Sequence, residues 1–127
     1  MEDDSHGVTG ESLLLGIETY LLDCFRRSSP PRVEELAASI GLHPVVLRRR
    51  VKGLLGTTIC HYLKIAQLRF ACHLLGERCL LLDDVAVQAA FGSRRAFLRT
   101  FQRELHQTPT DYRRSPKVSL DAGEAAT

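Results

Sequence analysis

The chain carries one pattern twice, and that repeat limits its possible folds more than any other feature. Leu36-Ala37, three residues and Gly41-Leu42 lead into Leu47-x-Arg49-x-Val51-Lys52 and Gly56-x-Thr58. About fifty positions on, Val85-Ala86, three residues and Ala90-Phe91 lead into Phe97-x-Arg99-x-Phe101-Gln102 and His106-x-Thr108. Each copy reads as a short helix, a tight break and a second helix with an arginine facing away from its apolar stripe. That is the layout of a helix-turn-helix unit, whose second helix can lie in the major groove of DNA.

The remaining segments fit the same plan. Glu11 to Arg27 places Leu14, Ile17, Leu21, Leu22 and Phe25 at helical spacing, and Ser28-Ser29-Pro30-Pro31 ends that helix. A second helix over Val33 to Ile40 carries Glu34 and Glu35 in its first turn, where the helix dipole favours anions. Gly41 supplies a left-handed stop, and Pro44 suits the first position of the next helix. Thr58 to Leu75 predicts a long linking helix with a buried stripe of Tyr62, Ile65, Ala66, Leu68 or the stem of Arg69, Ala71, Cys72 and Leu75, ended by Gly76 and Glu77. Asp83 or Asp84 should cap a fifth helix, Ser93 a sixth, and Pro109 should open a seventh that closes near Arg114. No segment alternates with period two. The expected fold is all-α, with two helix-turn-helix subdomains, about 33–56 and 83–106, joined by a linking helix over about 58–75. Residues 1–10 read as a flexible acidic N-terminus, 11–114 as the folded domain and 115–127 as a disordered tail.

Charge divides the chain sharply. The net charge is only +2, yet residues 1–47 hold three basic and eight acidic side chains, and residues 48–114 hold thirteen and five. A segment that basic, richer in arginine than lysine, points to a polyanion as partner. The acidic start lacks a secretory pattern, and the apolar runs are too short to span a bilayer. Cys24, Cys60, Cys72 and Cys79 form no C-x-x-C pair and stand among apolar neighbours, so buried, reduced thiols in a cytoplasmic protein are expected. Cys60-His61 and Cys72-His73 are twelve residues apart on one helix, roughly 18 Å, too far to share a metal ion. No cofactor, metal or catalytic constellation is expected, and an enzyme is disfavoured because a small helical bundle has no spare loops to build a pocket.

On a helical wheel, Phe97, Phe101 and Leu105 form the inward stripe of the sixth helix, leaving Arg95, Arg99, Gln102 and Arg103 outward. The third helix repeats this with Leu47, Val51, Leu54 and Leu55 inward and Val45, Arg49 and Lys52 outward, flanked by Arg48. Arg94-Arg95 lies in a first helical turn, where the dipole disfavours cations, and nucleic acid at that end would offset the cost.

With these motifs, and with Arg69-x4-Leu74-Leu75, Thr108-Pro109 and Tyr112-Arg113, Val33 to Arg114 resembles the DNA-binding domain of the AraC/XylS family of bacterial transcription regulators. With the helix at Glu11 to Arg27, the whole resembles its short single-domain members, of the MarA and SoxS type. The resemblance implies base-reading positions at Val45, Arg48 and Arg49 in the third helix, and at Arg94, Arg95, Ala96 and Arg99 in the sixth. It implies phosphate contacts from Lys52, Thr57, Thr58 and Thr108, and Gln102 and Arg103, on the outward face of the sixth helix, are expected to contact phosphate as well. It further implies a monomeric, cytoplasmic, nucleoid-associated activator whose partners are double-stranded DNA and RNA polymerase. The departures are Ala90 and His106 in place of glycines, Ile59 in place of proline and Val51 in place of an aromatic. A positive φ at Ala90 would cost roughly 1 kcal/mol unless Gly92 shifts the break. Gly53 weakens the third helix by nearly 1 kcal/mol, so the first unit should be the softer. The rival readings are a protein-interaction module docking on a partner regulator or RNA polymerase through the acidic first helix, and the detached DNA-binding part of a larger regulator.

Overall fold

The computed structural model describes residues 9–77 and 80–114. The order is α1 (Gly10–Arg27), α2 (Val33–Ile40), α3 (Pro44–Leu55), α4 (Ile59–Glu77), α5 (Leu82–Gln88), α6 (Arg94–Leu105) and α7 (Pro109–Arg114), with no strand among the described residues. The all-α expectation holds. The expectations for residues 1–8, for 115–127 and for Cys79 lie outside the described residues.

Local signals set most helix ends. Thr9 caps α1 through a reciprocal pair of bonds with Ser12, and Ser28 closes it at φ 54°. Pro44 opens α3 behind His43, whose Nδ1 accepts from the Val45 N–H at 3.1 Å. Ser93 caps α6, its hydroxyl oxygen accepting from the Ala96 N–H at 3.1 Å. The fifth helix departs from expectation: its cap is Leu81, and Asp83 and Asp84 sit inside the first turn. Packing of half-buried Leu82 against the core draws the helix start forward, and the two carboxylates then complement the helix dipole.

The core divides along α4. One cluster gathers Leu13, Ile17, Leu36, Leu47 and Val51 around Ile59 and Leu63 at the start of α4. The other gathers Val85, Ala86, Phe91, Phe97, Phe101 and Tyr112 around Leu68, Ala71, Leu74 and Leu75 further along it. The buried face of α4 therefore turns, the second stretch lying roughly a third of a turn round from the first. The expected stripe is corrected accordingly: Ile59, Leu63, Gln67 and Leu74 are buried, whereas Tyr62, Ile65, Ala66 and Cys72 are only partly so. A helix shared by two cores has no single inward face for a wheel to find.

Three further expectations are overturned. Leu22 and Leu54 are 61% and 45% exposed, because Leu13, Tyr20 and Leu21 supply the α1 stripe and Leu47 and Val51 suffice for α3. Cys60 is exposed, while Cys24 is buried and Cys72 partly so. Tyr20 faces inward because its hydroxyl is fully used: it accepts from the Arg32 N–H at 2.8 Å and donates to the Glu35 carboxylate at 2.7 Å. This ties α1 to the start of α2. Contacts between the two halves include the Phe25 and Phe70 rings, 4.7 Å apart, and Pro30, whose ring lies against Gly92.

Candidate nucleic-acid interface

The second unit shows how the outward face arises. Phe97, Phe101 and Leu105 pack inward, with Phe91–Phe97, Phe97–Phe101 and Phe101–Tyr112 ring contacts at 5.1, 5.6 and 5.8 Å. That anchoring fixes the rotation of α6 about its axis, so Arg94, Arg95, Arg99, Gln102 and Arg103 are all exposed and Ala96 is half-buried. Arg94, Arg95, Leu98, Arg99 and Gln102 line one open depression with Thr108 and Pro109 of α7. The cationic side of α6 and the N-terminus of α7 thus form a continuous surface. The structure brings together five of the expected residues there: Arg94, Arg95, Arg99, Gln102 and Thr108.

In the first unit Val45, Arg48, Arg49 and Lys52 of α3 are exposed, around inward Leu47 and Val51. The registers match across the repeat, since positions 45, 48, 49 and 52 correspond to 95, 98, 99 and 102. Each helix therefore offers one apolar side chain within its polar face, Val45 in α3 and half-buried Leu98 in α6. Leu98 was missed by sequence reasoning, although the repeat's own register pointed to it.

Two of the arginines are held by acids on the preceding helix of their own unit. Arg48 lies 3.7 Å from Glu34, and Arg94 lies 3.4 Å from Asp83. Arg103 contacts Glu104 at 3.3 Å. All of these arginines are about half exposed, so the pairs are weak and a stronger anion can replace the carboxylates. They orient the guanidinium groups without locking them.

The threonine positions sit at helix starts. Thr58 accepts from the His61 N–H and Thr108 from the Asp111 N–H, each at 3.1 Å. Each hydroxyl oxygen is thus used as an acceptor, leaving its proton to donate outward at a helix start, an arrangement suited to phosphate. Thr57 is half-buried next to Thr58.

The turn ahead of α6 departs from a simple glycine turn. Ala90 adopts φ 63° and Gly92 φ 85°, so the glycine adds a second left-handed residue rather than relieving the first. Gln67, 5% exposed on α4, donates to the Ala90 and Ala89 carbonyls at 2.8 and 3.3 Å. A glutamine between Leu63, Leu68 and Ala71 was the available signal for this, because a buried amide must find partners. At the far end of α6, His106 closes the helix at φ 59°. Among the described residues there is no group of three His, Cys, Asp or Glu side chains able to hold a metal ion. No described helix is long and apolar enough to cross a membrane.

Comparison with known proteins fits this geometry. The model of a family described as "Helix-turn-helix domain" matches residues 36–115. The Right origin-binding protein of Escherichia coli (strain K12) is 31% identical over 107 residues, 84% of this chain and 35% of that protein. The Probable transcription factor PqrA of Proteus vulgaris is 25% identical over 103 residues, 81% of this chain and 84% of that protein. The DNA-binding domain of AdpA, described as a global transcriptional factor and solved in complex with a target DNA, superposes with a TM-score of 0.72 at 26% identity. That superposition covers 84% of this chain and 97% of AdpA's. The chain spans about a third of the length of the first curated relatives it matches.

Proposed function

The chain belongs to the AraC/XylS family of helix-turn-helix transcriptional regulators, and we propose that it reads double-stranded DNA by laying α3 and α6 into two adjacent major-groove segments. The observation that carries this is the pair of register-matched outward faces, Val45-Arg48-Arg49-Lys52 and Arg95-Leu98-Arg99-Gln102, each presented by a buried apolar stripe. Arg94, Arg95 and Arg99 in α6, and Arg48 and Arg49 in α3, have the fork geometry to bond guanine O6 and N7. Val45 suits the methyl group of thymine, and Ala96 allows close approach of the α6 backbone to the base edges. Lys52, Gln102, Arg103, Thr57, Thr58 and Thr108 grip phosphates around each reading helix.

One chain holding both reading helices needs no second copy to cover two groove segments, which supports binding as a monomer. The 19-residue α4 is roughly 28 Å long, and with the width of the units at its ends this approaches the 34 Å between successive major grooves on one face. Action as an activator through RNA polymerase, in the bacterial cytoplasm, is part of the same proposal and is supported by the family resemblance alone, not by any surface described above.

Selection of bound sequences from a random duplex pool at physiological salt tests the reading. A motif of two blocks separated by about one helical turn is expected, with affinity that falls steeply as salt rises. Binding without sequence preference, or tight binding to a protein partner and none to duplex DNA, would replace it with the interaction-module reading.

A further inference from the structure

We infer that Gln67, on the linking helix and outside either reading face, sets the pose of α6 and is thereby a positioning residue for base reading, an assignment that rests on the DNA-reading function proposed above. The second unit lacks a glycine at the first left-handed position of its turn. Ala90 takes φ 63° with a Cβ in place, a conformation that L-residues other than glycine rarely hold without support. Gly41 adopts φ 86° at the turn of the first unit with no Cβ to accommodate.

The support for Ala90 comes from α4. Ala89 and Ala90 are fully buried, and the backbone bonds at the end of α5 use the carbonyls of Val85, Ala86 and Val87. The Ala89 and Ala90 carbonyls receive the Gln67 side-chain amide instead, at 3.3 and 2.8 Å. Gln67 is itself buried, between Leu63 of one core and Leu68 of the other, so its amide cannot swing to solvent. Ser93, which caps α6, follows Ala90 by three residues, and Arg94 and Arg95 follow directly. The clamp therefore acts on the segment that aims the first turn of α6. Because α4 also packs on the first unit, the same side chain refers the pose of the second reading helix to the body carrying the first.

The test uses the full chain with Q67M, which keeps length and helix preference but removes the donors, and Q67K, which returns N–H donors on a side chain of similar reach. Backbone hydrogen exchange at Ala90 and Phe91, read without DNA, should quicken in Q67M and return towards the parent in Q67K. On the selected duplex, Q67M should lose affinity about tenfold or more, the scale of one mismatched base pair. The lost discrimination should lie in the block facing α6, with the block facing α3 still read. If Q67M does not fold, Q67M/A90G is compared with A90G alone, in which glycine holds the left-handed turn without strain and the loss of the bonds to the Ala89 and Ala90 carbonyls is the only difference read. A Q67M protein that melts earlier but keeps turn protection and base preference would make Gln67 a stability residue and overturn the inference. Equal loss of discrimination in both blocks would overturn it as well. A parent without any base preference overturns the DNA-reading function itself, an outcome visible before any variant is made.

Discussion

At the scale of single residues, the two faces are built from side chains with different tasks. Arg95 and Arg99 stand together on the exposed side of α6, in the depression that continues to Thr108. Replacing either with alanine should cost about 1–3 kcal/mol on the preferred duplex and relax specificity in one block only. Lys52→Ala should weaken all duplexes alike and lower the salt slope by about one unit. Salt titrations of each variant on preferred and scrambled duplexes separate the two. Uniform losses for Arg95 and Arg99 would mean that they hold only the backbone. Tyr112 carries a different kind of prediction. Burial pushes its hydroxyl up to about 12, and burial raises Tyr20 well above the ordinary tyrosine value despite its bond from the Arg32 backbone. Both are neutral when folded, and an unfolded tyrosine ionises near pH ~10. Their stabilisation is complete below that pH and is lost as pH rises from about 10 through the folded values. Phenolate absorbance of Tyr62→Phe, followed together with helix content, should therefore rise only as the fold begins to loosen. Early ionisation of Tyr112 with the helices intact would contradict its place in the core.

At the scale of elements, the reading helices are unequal in stability. The buried face of α6 is aromatic, with Phe97 and Phe101 fully buried, while that of α3 rests on Leu47 and Val51. Gly53 adds backbone freedom to α3, and a Cβ at that position would meet nothing within 4 Å. Gly53→Ala should accordingly raise stability by nearly 1 kcal/mol, measured by chemical denaturation, without altering base preference. No gain would mean that α3 is already held rigid by its neighbours. The acids Glu34 and Asp83, each on the first helix of its unit, act in the other direction. They hold Arg48 and Arg94 loosely on the exposed faces of α3 and α6, where on the proposed function phosphate or base edges would compete with them.

For the whole molecule, α4 is both spacer and phase-setter. Its start belongs to one core and its later part to the other, so the angle between the reading helices is written in the helical phase between Leu63 and Leu68. Inserting a single alanine after Lys64 rotates the second half by about 100° relative to the first. It also parts the Phe25–Phe70 contact. The expected result is retention of helix content with loss of two-block binding, leaving the weak, salt-sensitive affinity of one unit, as read by gel shift on single-block and two-block duplexes. Unchanged two-block binding would mean that the units move independently and that α4 is only a tether.

The sequence by itself determined what depends on neighbours within about four residues. The Ser93 cap, Pro44 at the first position of α3, the left-handed Gly41, the arginine-bearing faces of α3 and α6, and the aromatic stripe of Phe97 and Phe101 are all helical-period or turn-chemistry signals. Outward direction was therefore readable for every arginine proposed to touch DNA. Tertiary structure decided what depends on which element lies opposite. The two faces of α4, the exposure of Leu22 and Leu54, the Arg48–Glu34 and Arg94–Asp83 pairs, the Pro30 ring against Gly92 and the hold of Gln67 on Ala90 join residues distant in the chain. Periodicity records that a side chain is turned inward or outward, whereas its partner is fixed only when two helices meet at a particular distance and rotation.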